Sequence, residues 1–185
     1  MFEDQLRRSI TIFQTATITL QMPPSPPAGP IRHCTRSPPP PPMYIWKMKL
    51  PNKVKFFGWL LFHGRLNTRA HLHHRNLRRL DESKCETCPS ELETDTHIFV
   101  GCPRARAVWL RIGHLPLPGQ HRMHWTLGCN LPPPDRTRPD VMLLLLWHIW
   151  KARNALIFNH DNLSTMDVLR RVLHDLWKNW IRSKL

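Results

Sequence analysis

Three cysteines and one histidine stand close together in the chain at a spacing typical of metal ligands. Two residues separate Cys85 from Cys88, eight separate Cys88 from His97, and four separate His97 from Cys102. Two thiolates from one tight turn can face a single ion, and a second pair of ligands then completes a tetrahedron. Thiolates favour zinc over harder cations. The spacing therefore predicts a closed Zn²⁺ site, in which the ion is structural because no position is left open for a reacting water.

The alternative interpretation of this cluster is cysteines placed by chance beside a core histidine. Cys34 and Cys129, the other two of the five cysteines, are isolated and are predicted to be free thiols.

An odd cysteine count and the lack of a recognisable export signal favour a reducing compartment, nuclear or cytoplasmic. The longest apolar run covers residues 141–150, well short of the roughly 20 residues that span a bilayer. We therefore expect a buried helix there, and neither secretion nor membrane insertion.

Residues 44–79 combine positive charge with aromatic rings. The stretch contains no acid and has nine basic residues: Lys47, Lys49, Lys53, Lys55, Arg65, Arg69, Arg75, Arg78 and Arg79. Across the whole chain, 27 Lys and Arg against 13 Asp and Glu give a formal charge of +14. This excess favours an anionic partner, so the nine residues are predicted to contact phosphates of RNA or DNA with low sequence specificity. The alternative is a solvated basic face, and Phe57, Trp59 and Leu61 are expected in the core.

The elements that must position these residues are predicted to be helices, because apolar residues recur at helical spacing. Helices are expected after Pro51, after a cap at Asn67 or Thr68, and from Pro103 to a stop at Gly113. A longer one is expected from a cap at Asp140 to about Phe158. A final helix follows Ser164, which with Asp167 resembles a capping box. The fold class predicted is mainly α, with a small irregular zinc-knuckle domain and a C-terminal helical hairpin.

The chain divides into four predicted segments. Prolines crowd residues 1–43, which are expected to form a disordered Pro-rich tail. The zinc-binding domain is predicted over 44–113, a linker over 114–139 and the helical hairpin over 140–185.

The ordered motifs of the zinc-binding segment resemble the zinc-binding domain that follows the reverse transcriptase in plant non-LTR (LINE-type) retrotransposons. The residues that carry the resemblance, over about 44–113, are Trp46-Lys47, Leu50-Pro51, Lys53-Val54-Lys55-Phe56-Phe57, Trp59, Gly64-Arg65-Leu66-Asn67-Thr68, Leu72, Arg75, Cys85, Cys88, Glu93-Thr94, His97, Phe99, Cys102 and Val108-Trp109. Residues 146–154 and Phe158 resemble the segment that commonly follows this domain. The resemblance implies zinc ligands Cys85, Cys88, His97 and Cys102.

Such elements carry a polymerase domain upstream and often a ribonuclease H domain downstream, but this chain shows neither set of catalytic motifs. We therefore expect a non-catalytic zinc module that contacts nucleic acid, in a chain that looks like a fragment of an element. The alternatives are a protein-interaction or assembly module, docking a reverse transcriptase core or a second copy of itself, and an inactive retrotransposon relic. A second metal site among His63, His71, His73 and His74 is disfavoured, because these side chains do not share one helix face.

Overall fold

The structure is a computed structural model that describes residues 41–128 and 138–182. Most of the predicted Pro-rich tail, together with Cys34 and Cys129, lies outside these residues. The described residues confirm the mainly α prediction, since their β-pairing is limited to one isolated bridge between Lys84 and Leu92.

Six α-helices form the framework of the described chain. They are α1 (Pro41–Lys47), α2 (Asn52–Phe62), α3 (Arg69–His74), α4 (Pro103–Arg111), α5 (Arg138–Asn159) and α6 (Thr165–Arg182). Short 3₁₀ turns cover Asp81–Ser83, Gln120–Arg122 and His124–Thr126, and a π-helical turn covers His97–Gly101.

Local sequence signals mark where several of these helices begin or end, as the sequence predicts. Thr68 caps α3, accepting the backbone N–H of His71 at 3.1 Å, and Pro103 occupies the first position of α4. Gly113, with φ of 74°, follows the end of α4. Ahead of α6, Ser164 and Asp167 exchange hydrogen bonds of 3.0 and 3.2 Å between backbone N–H groups and side-chain oxygens. The capping box is therefore formed with Asp in the place of Glu.

The start of α5 differs from the prediction. Arg138 and Pro139 are already helical, so Asp140 lies in the first turn and does not cap the helix. Proline fits the first turn because its missing N–H has no partner there in any case. An acid in that turn is still favourable, because it faces the positive end of the helix dipole.

The hairpin of α5 and α6 packs against the rest of the chain through one hydrophobic core. That core extends from Ile45 in α1 to Val172 in α6. Phe57 of α2 lies edge-on to Trp147 of α5, with ring centroids 5.3 Å apart. Beside them, a Cβ added to Gly58 would lie 3.0 Å from both δ-carbons of Leu143. Gly58, although it weakens α2 as a helix, therefore allows α2 to approach α5 closely.

The segment after residue 113 also contributes to this core. Its described part, up to residue 128, forms two 3₁₀ turns, and His121, His124 and Leu127 are fully buried there. The division into four domains stays a prediction.

By length and composition alone, α5 could cross a membrane, since its most apolar 18-residue window has a mean hydropathy of 1.3. Half of that window is buried inside the protein, as in the core helix of a folded domain. The expected buried helix is therefore present, and it extends beyond the apolar run of residues 141–150.

Candidate metal centre

A short hairpin positions the first pair of cysteines. The backbone N–H of Cys85 donates to the carbonyl of Glu91, and the N–H of Glu91 donates to the carbonyl of Cys88, both at 2.9 Å. At the base of the hairpin, the N–H of Glu93 donates to the carbonyl of Ser83 at 3.0 Å. We call residues 83–93 the zinc hairpin. Its tight turn holds Cys85 and Cys88 on one side, as a two-residue gap requires.

The second pair of ligands comes from the π-helical turn and the start of α4. The N–H of His97 donates to the hydroxyl of Thr94 at 3.0 Å, which fixes the start of the turn. The N–H of Cys102 donates to the carbonyl of His97 at 2.6 Å and closes it. Cys102 immediately precedes Pro103 and occupies the N-cap position of α4. A thiolate at this place is stabilised by the positive end of the helix dipole.

The four predicted ligands converge. The ligand atoms of Cys85, Cys88, His97 and Cys102 all lie within 4.8 Å of one another. Sulfur atoms of a tetrahedral zinc site are about 3.8 Å apart when each Zn–S bond is about 2.3 Å. His97 Nε2 is buried and has no hydrogen-bond partner among the described residues. The donor set, its spacing and this orphaned nitrogen all fit zinc.

The three thiols influence one another's protonation: the pKa of Cys85 is lowered, whereas the pKa values of Cys88 and Cys102 are raised. The pKa of Cys85 is lowered to about 4, because its sulfur accepts a hydrogen bond from Cys102 and two more from the backbone N–H groups of Thr87 and Cys88, which together outweigh burial. The pKa of Cys102 is raised, because this thiol supplies the proton to Cys85. A divalent cation bound by both sulfurs replaces that shared proton.

A buried ion pair joins the zinc hairpin to α5. Glu93 is only 1% exposed, and both of its carboxylate oxygens accept hydrogen bonds from the Arg153 guanidinium. The backbone N–H of Arg69 donates to the same carboxylate at 3.0 Å. Arg153 also lies over the Trp150 ring, 4.8 Å from its centroid. The sequence pattern gave no sign of this pairing, although both residues fall within the family-like motifs.

Arg69 has a structural role that differs from the predicted phosphate contact. Its guanidinium donates to the carbonyl of Lys84 at 2.8 Å and to the carboxylate of Glu86 at 2.7 Å. The side chain is half-buried between α3 and the zinc hairpin. It therefore braces the hairpin.

The other predicted nucleic-acid contacts are spread over the surface of residues 47–79. Six of the nine basic residues are exposed: Lys47, Lys49, Lys53, Arg65, Arg75 and Arg79. Of the half-buried ones, Lys55 donates to the carbonyl of Trp46 at 3.1 Å and Arg78 to the carbonyl of Glu82 at 3.2 Å. Arg79 faces Asp81 at 3.4 Å. Lys47, Lys49, Lys53 and Arg65 are the exposed cations of the α1–α2 region, and we call them the basic face.

The histidines of the basic stretch do not assemble a second site within the described residues. The potential metal group found there is the Cys85, Cys88, His97 and Cys102 cluster alone. His73 instead uses Nδ1 in a contact of 3.0 Å with the carbonyl of Arg78.

Comparisons with known proteins agree with this site. Residues 33–109 match the family described as zinc-binding in reverse transcriptase. Over 124 residues the chain is 24% identical to a putative ribonuclease H protein of Arabidopsis thaliana. This match covers 63% of the chain and 20% of the relative. The chain thus spans about a fifth of that relative's length. No solved structure matches. The family match and the four converging ligands confirm zinc as the cofactor and confirm the resemblance that the motifs indicated.

Proposed function

We propose that this chain, whose residues 33–109 carry the zinc-binding domain found in reverse transcriptases, binds RNA or DNA through its basic face with low sequence specificity. The zinc-binding domain is not itself catalytic. The chain as a whole is proposed to act without catalysing a reaction, and to do so in the nucleus or the cytoplasm.

The distribution of exposed charge supports this proposal. The basic face lies in a stretch of the chain that has no acid between residues 44 and 79. The exposed acids of the matched region sit instead on and before the zinc hairpin, and they are Asp81, Glu82, Glu86 and Glu91. A polyanion is therefore attracted to α1 and α2 and repelled from the hairpin. This separation is the observation on which the proposal rests.

The zinc ion has a structural part in this function. Held by Cys85, Cys88, His97 and Cys102, it supplies folding free energy to a region with little regular structure. The zinc hairpin braces α3 through Arg69 and α5 through Arg153. By this route the ion keeps α2, which packs on α5, in a fixed place.

The salt dependence of binding tests the proposal. The logarithm of affinity for a single strand falls against the logarithm of salt concentration with a slope of about −0.7 per phosphate contact. Replacing Lys47, Lys49 and Lys53 with Gln should make this slope shallower by about 2. Fluorescence anisotropy with a labelled homopolymer, measured over a salt series, gives the slope.

A matched control removes the same charge elsewhere. Arg106, Arg171 and Lys178 are exposed on α4 and α6, and their Gln variants should keep the parental slope. If the parental protein fails to bind at low salt, or if both triple variants lose the same affinity, the basic face is not the contact surface.

Assembly with a reverse transcriptase core is the second candidate. It is favoured by the length comparison, because the chain spans only about a fifth of the Arabidopsis relative. The part of that longer relative which this chain matches has the rest of the relative as its neighbour, and self-association is the other form that assembly takes in this proposal. Binding that stays flat across the salt series favours assembly over nucleic-acid contact.

A further inference from the structure

The outer face of α2 carries a row of aromatic rings outside the zinc site. Trp59, expected in the core, is instead half-buried on this face and is not part of the hydrophobic core. The rings of Phe56 and Trp59 are stacked, with centroids 6.1 Å apart and planes inclined by 13°. The ring of His63 continues the row, 4.7 Å from that of Trp59. Phe56 is 52% exposed and His63 is exposed as well. These positions recur at helical spacing, so the three rings line one side of the helix.

The opposite side of α2 already serves the core. Val54, Phe57 and Leu61 are buried there at 0%, 3% and 1% exposure. The helix therefore cannot bury Phe56 without losing this packing. The exposure of the ring row is a consequence of how α2 is anchored.

Positive charge flanks the ring row. Lys53 precedes Phe56 by three residues on the same side of α2 and is exposed. The guanidinium of Arg65 lies over the Trp59 ring, 5.9 Å from its centroid. Rings with adjacent cations match the chemistry of a single-stranded nucleic acid, whose bases stack on aromatic side chains while its phosphates meet Lys and Arg. A purely apolar protein partner would leave these cations without a counter-charge.

We infer that Phe56, Trp59 and His63 form a stacking platform for successive bases of single-stranded RNA or DNA, with Lys53 and Arg65 contacting the backbone between them. This inference rests on the proposed function and adds to it the form of nucleic acid and the mode of contact. In a duplex the faces of the bases are covered by their neighbours, so the platform selects single strands.

Affinity for the two forms of one sequence tests the inference. Full-length, zinc-loaded protein is titrated into labelled poly(dT) and into labelled poly(dA)·poly(dT) duplex, with anisotropy as the readout. The single strand should bind more tightly. Phe56→Leu, which keeps apolar bulk but removes the ring, should weaken single-strand binding about five-fold or more and leave duplex binding unchanged. Phe56→Trp should retain the parental preference.

The control is an exposed phenylalanine away from the platform. Phe158 at the end of α5 is 71% exposed, and Phe158→Leu should bind both forms as the parental protein does. Equal affinity for single strand and duplex overturns the platform, as does a Phe56→Leu variant with parental single-strand affinity. In either case, if binding still weakens steeply with salt, the basic face stands and only the platform fails. Absence of binding to both forms at low salt removes the proposed function itself.

Discussion

Removing the guanidinium of Arg153 should destabilise the whole fold, because it leaves a buried carboxylate without its main partner. Arg153→Met keeps an apolar side chain of similar length but removes the guanidinium that lies over Trp150, and Glu93 keeps a single hydrogen bond, from the backbone N–H of Arg69. Glu93 is 1% exposed and the Arg153 side chain is 13% exposed. The carboxylate therefore cannot turn to water without opening the contact between the zinc hairpin and α5.

The expected loss follows from this burial. Breaking a buried ion pair by removing one partner costs about 3–5 kcal/mol. The small exposure of Arg153 places the loss near the lower end, at about 3 kcal/mol. For a protein of this length the corresponding fall in Tm is about 6–12 °C. Replacing both charges, in Glu93→Gln with Arg153→Met, should cost less than the single substitution, because no uncompensated charge remains buried.

Urea unfolding of the zinc-saturated protein, followed by far-UV circular dichroism, measures the change. Arg79→Met is the matched control, since Arg79 and Asp81 form a pair whose side chains are 80% and 67% exposed. Losing an exposed pair should cost between about 0 and 1 kcal/mol. If Arg153→Met lies in the same range as Arg79→Met, or if the double variant is less stable than the single one, the buried pair does not hold the zinc hairpin to α5.

Two other predictions concern the metal and a buried histidine. The purified protein should hold one zinc ion per chain, and Cys85→Ser or a chelator should unfold residues 44–113. The control Cys34→Ser should keep both the metal content and the native far-UV spectrum. Native far-UV circular dichroism after loss of the metal would contradict this prediction. Burial lowers the pKa of His124 from its usual 6.5 to about 3, so the unfolded chain binds a proton in a pH range where the folded one does not. The stability from this group is complete above pH 6.5 and falls as the pH drops toward 3, by about 1.5 kcal/mol between pH 6.5 and 5. His124→Phe should show a correspondingly smaller fall over that range in urea titrations, and equal falls in the variant and the parental protein would refute a neutral buried His124.

Features of the fold that depend on near neighbours in the chain were predictable. Thr68, Pro103, Gly113 and the Ser164–Asp167 pair each act within a single turn of backbone, so their types and spacing predicted where helices begin and end. The zinc ligands were predictable for a related reason. Cys85 and Cys88 must share one turn to reach one ion, and this constraint is visible in the spacing itself.

The functions of individual charges and rings could be settled only by tertiary structure. Arg69 and Lys53 read alike in a basic stretch, yet Arg69 braces the zinc hairpin while Lys53 stays exposed. Phe57 and Trp59 were both expected in the core, yet only Phe57 is buried there, packed against Trp147 of α5, while Trp59 is half-buried.

The zinc ligands and the helix ends set by Thr68, Pro103, Gly113 and Ser164 were therefore determined by the sequence alone, because each depends on residues within a few positions of one another. The pairing of Glu93 with Arg153 crosses 60 residues. Residue type predicts that a buried carboxylate needs a cation, but only the packing of the zinc hairpin on α5 selects which cation it is. The exposed ring row on α2 was decided in the same way, by the contacts that occupy the opposite side of the helix.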